Sequence, residues 1–221
     1  MNRPVKTRVK ICCIGSIEEA RLAINYGASA IGLVSQMPSG PGVIPEELIV
    51  EIAASIPPGI SSFLLTSKQD AASIIRQQRK TGVNTIQICD RLIEGSYADL
   101  RKALPGISIV QVIHVNSKES IREAIAVSKS VNGILLDSGN QSLPVKELGG
   151  TGKTHDWKIS SEIRQKAGVP IFLAGGINHH NVLEAIRQVK PFAIDVCSGV
   201  RTGGNLDEDK LAKLFELINS F

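Results

Sequence analysis

Short apolar runs alternate along this chain with longer segments whose apolar positions recur at helical spacing. The runs predict strands over Val9–Cys13, Ala30–Val34, Ser61–Leu65, Thr85–Cys89, Ser108–His114, Asn132–Asp137, Val169–Leu173 and Phe192–Cys197. Between them, Ser16 with Glu19 three residues on predicts a capping box, and Gly27 the end of that first helix. Pro45 opens the second helix, as proline does at a first helical position. Further helices are predicted from Ser67 to about Lys80, over Ser96–Ala103, from Lys118 to about Ser128, and over Trp157–Lys166, Asn181–Gln188 and Leu206–Ile218. Eight strands alternate with eight helices, about 28 residues per unit over 221 residues, which is the spacing of parallel β-loop-α units. The expectation is a single (β/α)8 TIM barrel domain over residues 1–221. A doubly wound open sheet is the main alternative, but glycine-rich ends on the last two strands suit the closed barrel better.

Composition narrows the function classes. Aromatic residues make up 4% of the chain and apolar residues 43%, so the core is aliphatic, as in strands buried on both faces. The formal net charge of +4 is spread along the chain, which gives nucleic acid no clustered basic surface. No apolar run approaches membrane-spanning length and no secretory signal precedes the first strand. The cysteines Cys12, Cys13, Cys89 and Cys197 lack the spacing of a disulfide framework, which points to reduced thiols in a cytoplasmic protein. Neither C-x-x-C nor H-x₃-H spacing occurs, so no metal is expected.

Candidate chemistry gathers at one end of the strands. Ile171–Ile177 (IFLAGGI) and Phe192–Val200 (FAIDVCSGV) are apolar strands ending in small residues before a helical pattern. Gly175, Gly176, Ser198 and Gly199 would present backbone N–H groups beside helix N-termini, an arrangement that binds phosphate. After strands seven and eight of a barrel, such loops form a phosphate site. Asp137 ends the sixth strand; it is either a cap or a general acid whose pKa is raised by partial desolvation. Cys12 is either inert filler or a thiolate base or nucleophile. Lys10 shares its strand face and should point into the barrel, where Asp195 on strand eight would give it a structural ion-pair partner. The loop Leu148–Trp157 (LGGTGKTHDW) is not a P-loop, because its glycines lack that motif's four-residue gap. It reads as a lid whose Gly150, Thr151 and Gly152 bring backbone close to a ligand phosphate.

Taken together, VKIC at 9–12, ASAIG at 28–32, LLD at 135–137, GGTGKTHDW at 149–157, LAGGI at 173–177, Asn181-Val182 and DVCSGV at 195–200 resemble phosphoribosylanthranilate isomerase, the cofactor-free barrel enzyme of tryptophan biosynthesis. The likeness runs from about Val9 to the C-terminus. It implies that Cys12 is the general base and Asp137 the general acid of an Amadori rearrangement, with no cofactor. The chain also departs from the family pattern. Cys13 stands where the family usually has glycine, and Pro38–Ile44 (PSGPGVI) lacks the arginine that grips the anthranilate carboxylate. Ile86–Asp90 (IQICD) replaces V-Q-L-H-G, and Arg201 replaces the usual glutamate. Arg201 or His114 is the candidate carboxylate ligand in place of that arginine. Two functions follow: an isomerase of N-(5-phosphoribosyl)anthranilate or a close analogue, or a divergent barrel that isomerises or merely binds another phosphorylated ligand. The expected partner is a small phosphorylated molecule, and the expected assembly a monomer or homodimer.

Overall fold

The computed structural model describes residues 7–150 and 152–221. Eight parallel strands close on themselves in sequence order: β1 (Arg8–Ile11), β2 (Ala30–Val34), β3 (Ser61–Thr66), β4 (Thr85–Ile88), β5 (Ser108–His114), β6 (Gly133–Asp137), β7 (Ile171–Leu173) and β8 (Ala193–Val196). Closure is made by β1 and β8, where Lys10 stands opposite Asp195 and Ile11 opposite Val196. The helices α1 (Ile17–Tyr26), α2 (Glu46–Ser55), α3 (Ala71–Thr81), α4 (Tyr97–Ala103), α5 (Glu119–Ser128), α6 (Trp157–Lys166) and α7 (Val182–Val189) each follow the strand of the same number. After β8 comes a two-stranded ribbon, β9 (Arg201–Thr202) and β10 (Asn205–Leu206), and then α8 (Glu208–Asn219). This is a (β/α)8 TIM barrel. Among the described residues no helix is long and apolar enough to cross a membrane.

Strand alternation divides the core in two. Val9, Ile11, Ile86, Ile88, Ile134 and Leu136 face the helices and join the large aliphatic cluster. Residues of the opposite parity, among them Cys12, Phe63, Cys89, Leu135 and Phe172, form a smaller cluster inside the barrel. Gly32 is required here by space: a Cβ at that position would lie 2.9 Å from Cys12 Sγ and 3.0 Å from Lys10 Nζ.

Local chemistry explains where the elements differ from the sequence expectation. Strand β1 stops at Ile11 because Cys13 adopts a left-handed backbone, with φ of +62°. Helix α3 begins at Ala71, with the Asp70 carboxylate accepting from Ser73 N–H, so 67–69 remain loop. The ribbon before α8 turns at Gly203-Gly204, both at positive φ, the requirement of a two-residue hairpin turn. The expected capping box at Ser16 is half formed: Ser16 accepts from Glu19 N–H, but the Glu19 carboxylate goes elsewhere.

Candidate active site

At the C-terminal mouth of the barrel lies a cavity walled by Cys12, Asp137, Gly175, Gly176 and Ser198, among others. Cys12 and Asp137 reach it for the same reason. Each lies beyond inward-facing residues of a strand, Lys10 in β1 and Leu135 in β6, and keeps that parity. Burial pushes the Asp137 carboxyl up to about 6, against the Ser138 N–H that donates to Oδ1 at 2.8 Å. The neighbouring Asp195 charge raises it further and Lys10 lowers it.

Two stability consequences follow. The native carboxyl holds its proton more tightly than the unfolded one, at 3.8, so stability falls as pH rises from about 4 through about 6. Asp137→Asn keeps the bond from Ser138 and removes the buried charge. It is expected to stabilise the protein by up to about 3 kcal/mol at about pH 8 and by little at about pH 4, read as thermal midpoints at both pH values.

The Cys12 thiol is drawn below its ordinary range, chiefly by a hydrogen bond from the Cys13 thiol and further by Lys10, against burial. Cys13 is held well above the ordinary range by its contacts with Cys12 and Cys197 and by burial, so it keeps its proton. That single proton faces three acceptors, the Cys12 and Cys197 sulfurs and Pro41 O at 3.7 Å. It serves Cys12 once Cys12 ionises. Cys89, fully inside, is pushed up by burial and stays a thiol.

Cys13 pairs this role with a strained backbone, since a non-glycine residue at φ of +62° is held against a penalty of roughly 1–2 kcal/mol. Cys13→Gly is therefore expected to leave stability within about 1 kcal/mol of wild type, to raise the Cys12 pKa, and to reduce turnover less than about tenfold. A pH titration of thiolate absorbance and a steady-state assay check this. Loss of turnover matching that of Cys12→Ser would mean that Cys13 is the reacting thiol.

Below the mouth, Lys10 Nζ lies 2.9 Å from both Asp195 oxygens, with no exposed surface on the lysine. Burial alone would lower the Lys10 pKa, but the Asp195 carboxylate outweighs it and the ammonium is held in its charged form.

The anion cradle is set by loop geometry. Gly175 and Gly176 take φ of +81° and +64°, and the Asn178 and Asn181 side-chain amides donate to Gly176 O at 3.1 and 3.0 Å. Ser198 lines the same cavity. Gly199 lies off the cavity wall and bridges to Asn178, where its lack of a Cβ lets the two loops touch. Gly150 and Gly152 line the cavity from the β6–α6 loop; Thr151 lies outside the described residues. That loop is tied down by His155, whose Nε2 lies 2.7 Å from Ser160 Oγ. Burial drops the His155 pKa to about 4, so the ring is neutral.

The two carboxylate-ligand candidates are placed elsewhere. Arg201 spends its guanidinium on Glu19, at 3.0 Å to each carboxylate oxygen, and on the carbonyls of Cys13 and Gly204. Glu19 in turn accepts from Gly15 N–H and Leu206 N–H, which is where its capping bond went. His114 donates from Nε2 to Cys89 O at 3.1 Å, and Gly139 packs on its other face. It lies off the cavity wall, and burial lowers its pKa. Neither lines the cavity, and His114 Nδ1 and Arg201 Nε are buried without a protein partner among the described residues. Among the described residues no group of three or more His, Cys, Asp or Glu side chains is arranged to hold a metal ion.

Sequence reasoning left Gln87, Ser39 and the Lys146–Asp90 pair unassigned. Gln87 lines the cavity, and its Oε1 is buried with no protein partner among the described residues. Its signal was present in the alternation, two positions before Cys89.

A model of the family described as N-(5'phosphoribosyl)anthranilate (PRA) isomerase matches residues 9–217 of this chain. The chain belongs to that family. It is 35% identical to N-(5'-phosphoribosyl)anthranilate isomerase 2 of Methanosarcina mazei, over 92% of this chain and 90% of that protein. It is 34% identical to N-(5'-phosphoribosyl)anthranilate isomerase of Gloeothece citriformis, over 96% and 94%. The crystal structure of phosphoribosyl anthranilate isomerase from Thermotoga maritima superposes with a TM-score of 0.81 at 28% identity, covering 97% of this chain and all of that one. An isomerase in complex with reduced 1-(o-carboxyphenylamino)-1-deoxyribulose 5-phosphate superposes with a TM-score of 0.78 at 25% identity, over the same shares. Cys13 and Arg201 meet through the Cys13 carbonyl, and Asp90 takes Lys146 from the β6–α6 loop.

Proposed function

We propose that this chain isomerises N-(5-phosphoribosyl)anthranilate to the 1-deoxyribulose 5-phosphate ketose by an Amadori rearrangement, within tryptophan biosynthesis. The observation that carries it is the placement of a low-pKa thiol, Cys12, and a raised-pKa carboxyl, Asp137, on one cavity wall beside Gly175, Gly176 and Ser198. Asp137 in its acid form gives its proton to the ribose ring oxygen as the C1′–O bond breaks, and the nitrogen lone pair forms the Schiff base. Cys12 thiolate then takes the C2′ proton; the C2′ electrons form the C1′–C2′ double bond and the C=N pair returns to nitrogen. The enolamine tautomerises to the ketose. One acid and one base with opposed pKa shifts suffice for this sequence. Backbone amides of Gly175, Gly176 and Ser198, with Gly150, Thr151 and Gly152 of the lid, are assigned to the 5′-phosphate, as anions bind at such loops. Gly199 supports the cradle from behind. Cys13 serves the thiolate, and Lys10 with Asp195 sets the field beneath both reacting groups.

The reading places the protein in the cytoplasm as a monomer or homodimer; the Thermotoga maritima relative is described as dimeric. The test is turnover of N-(5-phosphoribosyl)anthranilate by purified protein, followed by the fluorescence of the anthranilate group, together with rescue of a tryptophan auxotroph lacking this isomerase. Folded protein that neither converts the substrate nor rescues growth would overturn the proposal.

A further inference from the structure

The proposed substrate is anionic at both ends. Its phosphate is served by backbone amides, but its aromatic carboxylate gives up water on entering the cavity and is favoured by a counter-charge. Among the described residues, no side chain lining the cavity is cationic. The cations around it are mostly committed. Lys10 is held by both oxygens of Asp195, Arg201 by Glu19 and three carbonyls, and Arg91 turns to Glu123 at 3.8 Å. Lys153 is likewise engaged.

Lys146 is different. Its Nζ contacts one oxygen of Asp90 at 2.5 Å, and its side chain is 36% exposed while that of Asp90 is 6% exposed. An ammonium has three donors, so a single carboxylate oxygen leaves two for other acceptors. Its side chain is not part of the cavity wall, but its backbone adjoins that wall. Lys146 O accepts from Ser39 Oγ at 2.7 Å, and both Ser39 and Leu148 line the cavity. Asp90 is itself fixed, with Oδ1 accepting from Arg91 N–H at 2.8 Å, which leaves Oδ2 to aim the lysine.

We infer that Lys146 recognises the carboxylate of the aglycone, and that Asp90 is the positioning residue that holds it at the mouth. This rests on the isomerase reading above. The charge that selects a carboxylated aglycone then arrives on the lid loop rather than on the loop after β2, where 35–43 carry no Lys or Arg.

The experiment compares two substrates, N-(5-phosphoribosyl)anthranilate and N-(5-phosphoribosyl)aniline, which lacks only the carboxylate. Lys146→Met should raise KM for the first by about tenfold or more, the effect of losing one charge-assisted hydrogen bond, with kcat within about twofold. It should leave the aniline substrate unchanged. Lys146→Arg should retain most of the discrimination, and Asp90→Asn should lose part of it. Equal losses on both substrates would make Lys146 a loop tie only and overturn the inference, as would no change on either. Wild-type protein with the same kcat/KM on both would leave the isomerase standing and overturn the carboxylate assignment. Wild type inactive on both would overturn the isomerase reading, and this one with it.

Discussion

Cys12→Ser and Asp137→Asn are each expected to lower kcat for N-(5-phosphoribosyl)anthranilate by about 10²- to 10⁴-fold, with KM little changed. Serine fills the space of the thiol, but its hydroxyl does not ionise in the working pH range, so the C2′ proton has no base. Asparagine keeps the bond from Ser138 N–H but has no acidic proton for the ring oxygen. Neither change removes a phosphate contact, which is why the loss falls on kcat. The two losses should not add in the double variant, because acid and base act in one sequence on one substrate. Steady-state kinetics of the three variants check this, and a Cys12→Ser enzyme within tenfold of wild type would end the assignment. Asp137→Asn should also be the more heat-resistant protein at about pH 8, so activity and stability move in opposite directions at a single position.

The second large effect concerns folding. Lys10→Met leaves the Asp195 carboxylate buried opposite an apolar chain, where it had two bonds at 2.9 Å. Breaking one side of such a pair costs roughly 3–5 kcal/mol, about 10 °C or more in thermal midpoint for a domain of this size. Replacing both partners, Lys10→Met with Asp195→Leu, should recover most of that loss, since the buried charge is then gone altogether. Chemical denaturation of the single and double variants reads it directly. A single variant within about 1 kcal/mol of wild type would show that the pair is better hydrated than its burial implies. In the double variant the Cys12 pKa should rise, though less than in Lys10→Met alone, because Lys10 lowers it more than Asp195 raises it.

Much of this architecture was readable from local pattern. The alternation that put Lys10 and Cys12 on one face of β1 also put Leu135 and Asp137 on one face of β6, and a closed barrel turns both faces inward. Gly175 and Gly176 were visible because positive φ leaves few alternatives to glycine, and Gly199 because no Cβ fits against Ile177 O. The unreadable parts depend on partners far along the chain. Glu19 looked like a capping residue because its position three after Ser16 is local information; its actual partner, Arg201, is 182 residues away. The same blindness made Arg201 and His114 look free to bind a ligand, when one is neutralised by Glu19 and the other is covered by Gly139. Lys146 and Asp90, 56 residues apart, carry no shared motif and meet only because the β6–α6 loop reaches the segment after β4. The ribbon at 201–206 went unread, with Leu206 assigned to the last helix, because two glycines and two strands of two residues each leave little apolar signal.

The clasp between Glu19 and the ribbon at 201–206 bears on how the protein is made. As the nascent chain leaves the ribosome, β1 waits with one edge bare until β8 emerges, and the Glu19 carboxylate lacks its guanidinium until Arg201 follows. The last-synthesised units therefore act as the keystone, and a ribosome-bound fragment ending before residue 193 holds an unsealed sheet edge exposed to other chains.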